Sequence, residues 1–164
     1  MGKHLSIYHA LTRLIISTAA FNVFAPRLYF YYIVELTKLY DSNPNLKRNF
    51  HKSPWPAATF NFGPWTITFP HTDPGNLAFG WCSIMALGMF NFRRGGQIIL
   101  WDLGLVIDFP PGSTILIPSA VIRHSNTSIQ ASETRYSFTQ YAARGLFRWF
   151  QKGSALIKCL WRRR

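Results

Sequence analysis

The stretch "GGQIILWDLGLVIDFPPGSTILIPSAVIRHSN", Gly95–Asn126, decides the fold. It holds four short runs rich in β-branched and aromatic residues: "GQIILWDL", "LVIDF", "STILIP" and "AVIRHS". Turn residues at Gly95-Gly96, Pro110-Pro111-Gly112 and Pro118-Ser119 bound them, which is the pattern of strands joined by tight connections. Outward in both directions the pattern continues. "AATFNF", "PWTITFP" and "CSIMALG" precede it, and "TRYSFTQYA" follows it. About eight short strands at close spacing predict a sandwich or barrel. Residues 4–40 read differently. Leu11, Leu14, Ile15 and Thr18 follow the spacing of one helical face, and Pro26 fits the first turn of a second helix that Asp41-Ser42-Asn43-Pro44 stops. The expected class is α+β, mainly β, a jelly roll with the N-terminal helices packed on one face.

Three segments follow. Residues 1–56 hold the helices and a basic, Pro-containing connection, 57–152 the β core, and 153–164 a basic tail. At 164 residues, 48% apolar and 16% aromatic, the chain can bury one substantial core and is not disordered. Its two cysteines, Cys82 and Cys159, fit no disulfide framework, and Cys82 reads as a core thiol. Pro26-Arg27 interrupts the apolar run Leu14–Ala25, so no stable membrane span is expected. "MGKHLS" matches the N-myristoylation pattern at Gly2 and Ser6, a short and common one. Lys and Arg number 18 against six acids, for a net charge of +12, a balance suited to phosphates or anionic lipid.

So few carboxylates make the position of each informative. In "FPHTDPGN", Asp73 stands two residues from His71; "TITFPHTD" reads as a strand, so the two share one face at its end. His124 ends another apolar run. Two histidines and a carboxylate form the ligand set of non-haem Fe(II) oxygenases, with positions left open for oxygen and a cosubstrate. A His-Asp pair alone is also common in surface turns. Arg135 adds a second element. Brought inside a barrel, a guanidinium needs an anion, and its fork suits a carboxylate such as the distal one of 2-oxoglutarate. The alternative is a surface pair with Glu133, which would share its strand face.

Taken together, "FNFGPWTITFPHTDPGN", "GWCSIMALG", the Gly95–Asn126 stretch and "ETRYSFTQYAARGLFRW" resemble the fungal branch of the TET/J-binding-protein group of 2-oxoglutarate/Fe(II) dioxygenases, over roughly residues 25–152. The resemblance implies a double-stranded β-helix, with Fe(II) and 2-oxoglutarate as cofactors and ascorbate as a candidate reductant. It implies oxidation of the methyl group of 5-methylcytosine or thymine in DNA, or in RNA, with O2 consumed and CO2 and succinate released, and a nuclear location. His71, Asp73 and His124 match the metal ligands, and Arg135 matches the cosubstrate anchor. "RRGGQ" departs from the usual acidic-Pro turn and makes that hairpin more basic. The short chain also fits a shortened member.

Period two from Arg135 places Ser137, Thr139 and Tyr141 on one inward face, where Tyr141 is the candidate to stack a flipped base. Asn76 is the candidate reader of the base edge, and Asn61 a candidate cosubstrate contact; turn or core packing is the alternative for all three. Trp81, Trp101 and Trp149 read as structural, and Phe147–Phe150 as a closing helix. Two other functions compete: the same chemistry on a protein or small molecule, and an inactive nucleic-acid-binding remnant of the fold.

Overall fold

A computed structural model describes the backbone of residues 7–148 and the side chains of residues 15–148. The acylation pattern at Gly2, the basic tail 153–164, Cys159 and Trp149 lie outside the described residues. The chain divides after Pro56 into two compact units.

The first unit is a helix pair, α1 (Ile7–Phe24) and α2 (Pro26–Ser42). Ala25 leaves helical geometry and Pro26 opens α2, where its missing N–H costs nothing. Asn43 closes α2, its backbone N–H donating to the Tyr40 carbonyl and its Nδ2 to that of Leu39. Tyr32, Leu36 and Leu39 recur at helical spacing and form the buried face. Phe21 lies 4.8 Å from Trp55 in a stacked arrangement, so the Pro-rich connection supplies a core residue to this unit. No helix among the described residues is long and apolar enough to cross a membrane.

The second unit contains two antiparallel sheets. One has the order β1 (Ala57–Asn61), β7 (Thr134–Tyr141), β2 (Cys82–Met89), β5 (Thr114–Ile117). The other has the order β4 (Leu105–Ile107), β3 (Ile98–Leu100), β6 (His124–Asn126). They share a core. Ala86 and Ile98 meet in one cluster with Phe90 and Phe109, and Cys82 and Ile117 meet Leu100 in another. The helix–strand division of the sequence and its mainly β character are present, as mixed helix and antiparallel sheet.

Three expected strands are shorter than the sequence suggests. "GQIILWDL" is a strand only to Leu100 and then turns through a 3-10 helix (Trp101–Leu103), because the Asp102 carboxylate accepts the Arg123 backbone N–H at 2.6 Å. In "AVIRHS" the N–H groups of Val121 and Ile122 both turn back to the Pro118 carbonyl, so the strand begins at His124. "TITFPHTD" forms no continuous strand. It crosses from β7, bridged at Trp65–Arg135, to β6, bridged at His71–His124. Pro64 and Pro70 lack the N–H a ladder requires, and the Thr68 N–H is satisfied instead by the Asn126 side chain at 2.9 Å. After the turn at 73–76, closed by Asn76 N–H donating to the Asp73 carbonyl, the chain rejoins the end of β7, with Leu77 N–H donating to Ala142 and Arg144 N–H to Gly75.

Candidate metal centre and anion pocket

His71 and His124 face each other across that bridge. Each donates its backbone N–H to the other's carbonyl, at 3.1 and 2.9 Å, and their ring centroids are 4.4 Å apart. His71 Nδ1 lies 2.7 Å from the Phe69 carbonyl oxygen, and His124 Nδ1 2.9 Å from that of Ile122. A carbonyl only accepts, so each Nδ1 carries a proton, and in the neutral imidazole Nε2 is the nitrogen left to ligate. This is the arrangement that orients histidines as metal ligands. Burial lowers the His124 pKa, which favours the neutral ligating form. Asp73 Oδ1 lies 3.5 Å from His71 Nε2. Ligand atoms of the three residues lie within 4.8 Å of one another, and among the described residues they are the one such group. The donor set fits a divalent ion such as Fe(II), with two imidazoles, one carboxylate and a cavity on the open side.

The second oxygen of Asp73 is held as well. Asn76 Nδ2 donates to Asp73 Oδ2 at 3.3 Å and to Ser119 Oγ at 3.1 Å. Asn76 lines the cavity and steadies a candidate ligand carboxylate, a bond the sequence did not reveal.

The cavity, about 450 Å³, runs inward from this group and is lined on one side by Arg135, Ser137, Thr139 and Tyr141, the period-two set of β7. Arg135 is 3% exposed. It does not pair with Glu133, whose two oxygens accept the backbone N–H groups of Asn91 and Gln130. Arg135 Nη1 donates to the Thr66 carbonyl at 3.1 Å, and its Nε is buried with no partner. Burial brings its pKa down to about 10. A buried cation with an unpaired donor beside a cavity is set up to receive an anion.

Asn61 and Tyr141 also line the cavity. Asn61 Nδ2 donates to Ser137 Oγ at 2.7 Å. That contact occupies a Ser137 lone pair and leaves the Ser137 hydroxyl hydrogen to donate elsewhere. The Tyr141 ring packs against the Cys82, Leu100 and Ile117 cluster. Cys82 is buried, with its thiol pKa pushed up to about 12 by burial, and so is an inert core residue.

Sequence reading missed Asn126. It is 6% exposed, and its Oδ1 accepts from both Thr68 N–H and Thr68 Oγ1, at 2.9 and 2.7 Å. Its Nδ2 donates to the carbonyls of Thr66 and Thr127. It stands two residues from His124, so period two was the available signal.

No family model and no curated protein matches the chain. Among solved structures, that of NgTET1 in complex with 5mC DNA matches 70% of the chain at 22% identity, with a TM-score of 0.50. The chain spans 47% of that neighbour's length. At this identity the likeness establishes a shared fold.

Proposed function

We propose that the chain is a TET/J-binding-protein-like dioxygenase of the fungal type, built on a double-stranded β-helix over residues 57–152, which oxidises the methyl group of 5-methylcytosine in DNA. One observation carries the reading: a His-Asp-His group and a buried arginine with an unpaired donor line one cavity. The shared fold with NgTET1, solved with 5mC DNA, supports the substrate class, and the +12 charge supports a polyanionic partner; a nuclear location would follow from the family resemblance alone.

His71 and His124, through Nε2, and Asp73 would hold Fe(II). When bound, with 2-oxoglutarate and O2, that centre supplies the oxidising power for a C–H bond, releasing CO2 and succinate; ascorbate is a suitable reductant. Arg135 binds the distal carboxylate of the cosubstrate, and the Ser137 hydroxyl, oriented by Asn61, donates to the same group. Tyr141 supplies a stacking face for a base turned out of the duplex. With its amide nitrogen committed to Asp73 and Ser119, Asn76 has its carbonyl oxygen left as an acceptor. Cytosine offers an exocyclic amino donor and thymine only a carbonyl there, so this arrangement favours 5-methylcytosine over thymine.

The test combines two readouts on the same reaction: succinate from 2-oxoglutarate, and 5-hydroxymethylcytosine in a methylated duplex. Both should appear, with a thymine-only duplex left unmodified. Succinate without a modified base on any DNA or RNA transfers the chemistry to a protein or small-molecule substrate. Neither product, with DNA binding retained, leaves the inactive remnant.

A further inference from the structure

The segment that carries Thr68 and His71 toward the cavity has a second face. Thr68 lines the metal cavity, whereas Trp65, Ile67 and Phe69 are 61%, 46% and 79% exposed. Exposed large apolar side chains at this density in one extended run mark a contact surface rather than ordinary solvent exposure. Trp65 and Ile67 border a separate groove of about 290 Å³, closed on its other side by Ser128, Ile129 and Ala131. That volume lies at the lower end for ligand sites and suits one planar ring system.

Charge beside the groove distinguishes among occupants. The hairpin bearing Arg93 and Arg94 lies against its far wall: Gly96 N–H donates to the Ser128 carbonyl at 3.3 Å, and Gln130 Nε2 to that of Arg94 at 3.1 Å. Both arginines are exposed, and neither has an ion-pair partner among the described residues. The nearby acid, Glu133, is engaged by two backbone N–H groups. An aromatic ledge, a small groove and two guanidinium groups without an ion-pair partner, that of Arg93 lying 5.7 Å from the Phe92 ring centroid, match a nucleobase with its flanking phosphates.

We infer that the Trp65–Ile129 groove is a second nucleic-acid contact, in which an unpaired base stacks on Trp65 while Arg93 and Arg94 hold the adjoining phosphates. The inference shares its nucleic-acid partner with the proposed function, but it requires neither iron nor 2-oxoglutarate. The groove shares no lining residue with the metal cavity, so it is distinct from the place where a reacting base would sit.

The experiment is a binding titration of labelled oligothymidylate with the full chain, in chelator, followed by fluorescence polarisation across a salt series. Trp65→Ala should weaken binding about ten-fold, within the range of one lost base stack. Trp65→Phe should keep most of the affinity. The double change R93A/R94A should reduce the slope of log affinity against log salt by about 1.4, as expected for two single-strand phosphates. Thermal melting of the variants should match wild type, since all three side chains are exposed. Wild-type affinity in Trp65→Ala, or no binding by wild type, overturns the inference. So does a variant that changes only the sedimentation of the protein, which assigns the groove to a second copy of the chain. Because the chelator removes any metal, loss of dioxygenase activity and loss of this contact are read separately.

Discussion

His71 and His124 exchange both backbone hydrogen bonds, so the two residues are fixed relative to each other by main chain, and each ring is then oriented by its own Nδ1 contact with a backbone carbonyl. An antiparallel bridge of this kind brings residues 53 positions apart in the sequence onto one site before any ion is present. Preorganisation of the ligands then depends on what holds the 64–71 segment in place, and several consequences can be measured.

Arg135 is the first. As a buried cation with an unsatisfied Nε it lowers the stability of the ligand-free protein. Arg135→Met should therefore leave the melting temperature unchanged or raise it, while abolishing the stabilisation that added 2-oxoglutarate gives to wild type. Arg135→Lys keeps the charge but loses the planar fork, and the apparent affinity for 2-oxoglutarate should fall by ten-fold or more, about 1.4 kcal/mol. Equal thermal shifts in wild type and both variants would place the anchor elsewhere.

Asn126 is the second. Its side chain makes four hydrogen bonds, three of which tie Thr66 and Thr68 to β6 where the strand ladder is incomplete. At about 0.5–1.5 kcal/mol for each bond lost, and more where a buried partner is left unsatisfied, Asn126→Ala should cost about 2–4 kcal/mol in denaturant unfolding. Metal affinity should fall with it, because the segment from Thr66 to His71 is then tied to β6 by backbone bonds alone. A loss of stability with unchanged metal affinity would make Asn126 a support of the fold alone.

Gly88 is the third. It pairs with Arg135 across β2 and β7 and has a φ of 115°, in the region that side chains avoid. A Cβ there would come within 2.2 Å of the Thr134 carbonyl oxygen. Gly88→Ala should destabilise by at least about 1–3 kcal/mol, the cost of backbone strain of this kind. It should also weaken 2-oxoglutarate binding by displacing Arg135, a joint effect that titration calorimetry and unfolding together would show or rule out.

Tyr141 is the fourth. If it stacks the flipped base, Tyr141→Ala should slow formation of the modified base at least ten-fold, since stacking contributes about 1–3 kcal/mol per base. Succinate formation in the absence of DNA should change much less. A variant that modifies DNA at the wild-type rate would remove Tyr141 from the substrate site.

Much of this was legible in the sequence because it rests on local rules. Period two on "TRYSFTQYA" placed Arg135, Ser137, Thr139 and Tyr141 on one face, and all four line the cavity. Pro26 and Asn43 marked the ends of α2 where they fall. Non-local relations were not legible. The sequence suggests a strand for "TITFPHTD", but its prolines break the ladder and an asparagine from β6 takes over the pairing. The bonds of Asn76 to Asp73 and Ser119 depend on the turn signalled at Pro118-Ser119, whose continuation to 122 an apolar, β-branched run concealed. The half-exposed Trp101 owes its place to a hydrogen bond from Nε1 to Ser125 Oγ, a partner 24 residues away that no local pattern announces.

The central claim is that His71, Asp73 and His124 hold one divalent iron beside an anion site at Arg135. Anaerobic titration of the protein with Fe(II) and then 2-oxoglutarate tests it directly, since a 2-oxoacid chelated to Fe(II) gives a visible charge-transfer band. Wild type should bind one equivalent of Fe(II) and develop the band on addition of 2-oxoglutarate. Asp73→Ala, whose side chain is only partly buried and whose removal leaves the backbone pair of the histidines intact, should keep its fold by circular dichroism and develop no band. A wild-type protein that shows no band, or an Asp73→Ala variant that binds iron and cosubstrate as wild type does, would contradict the account.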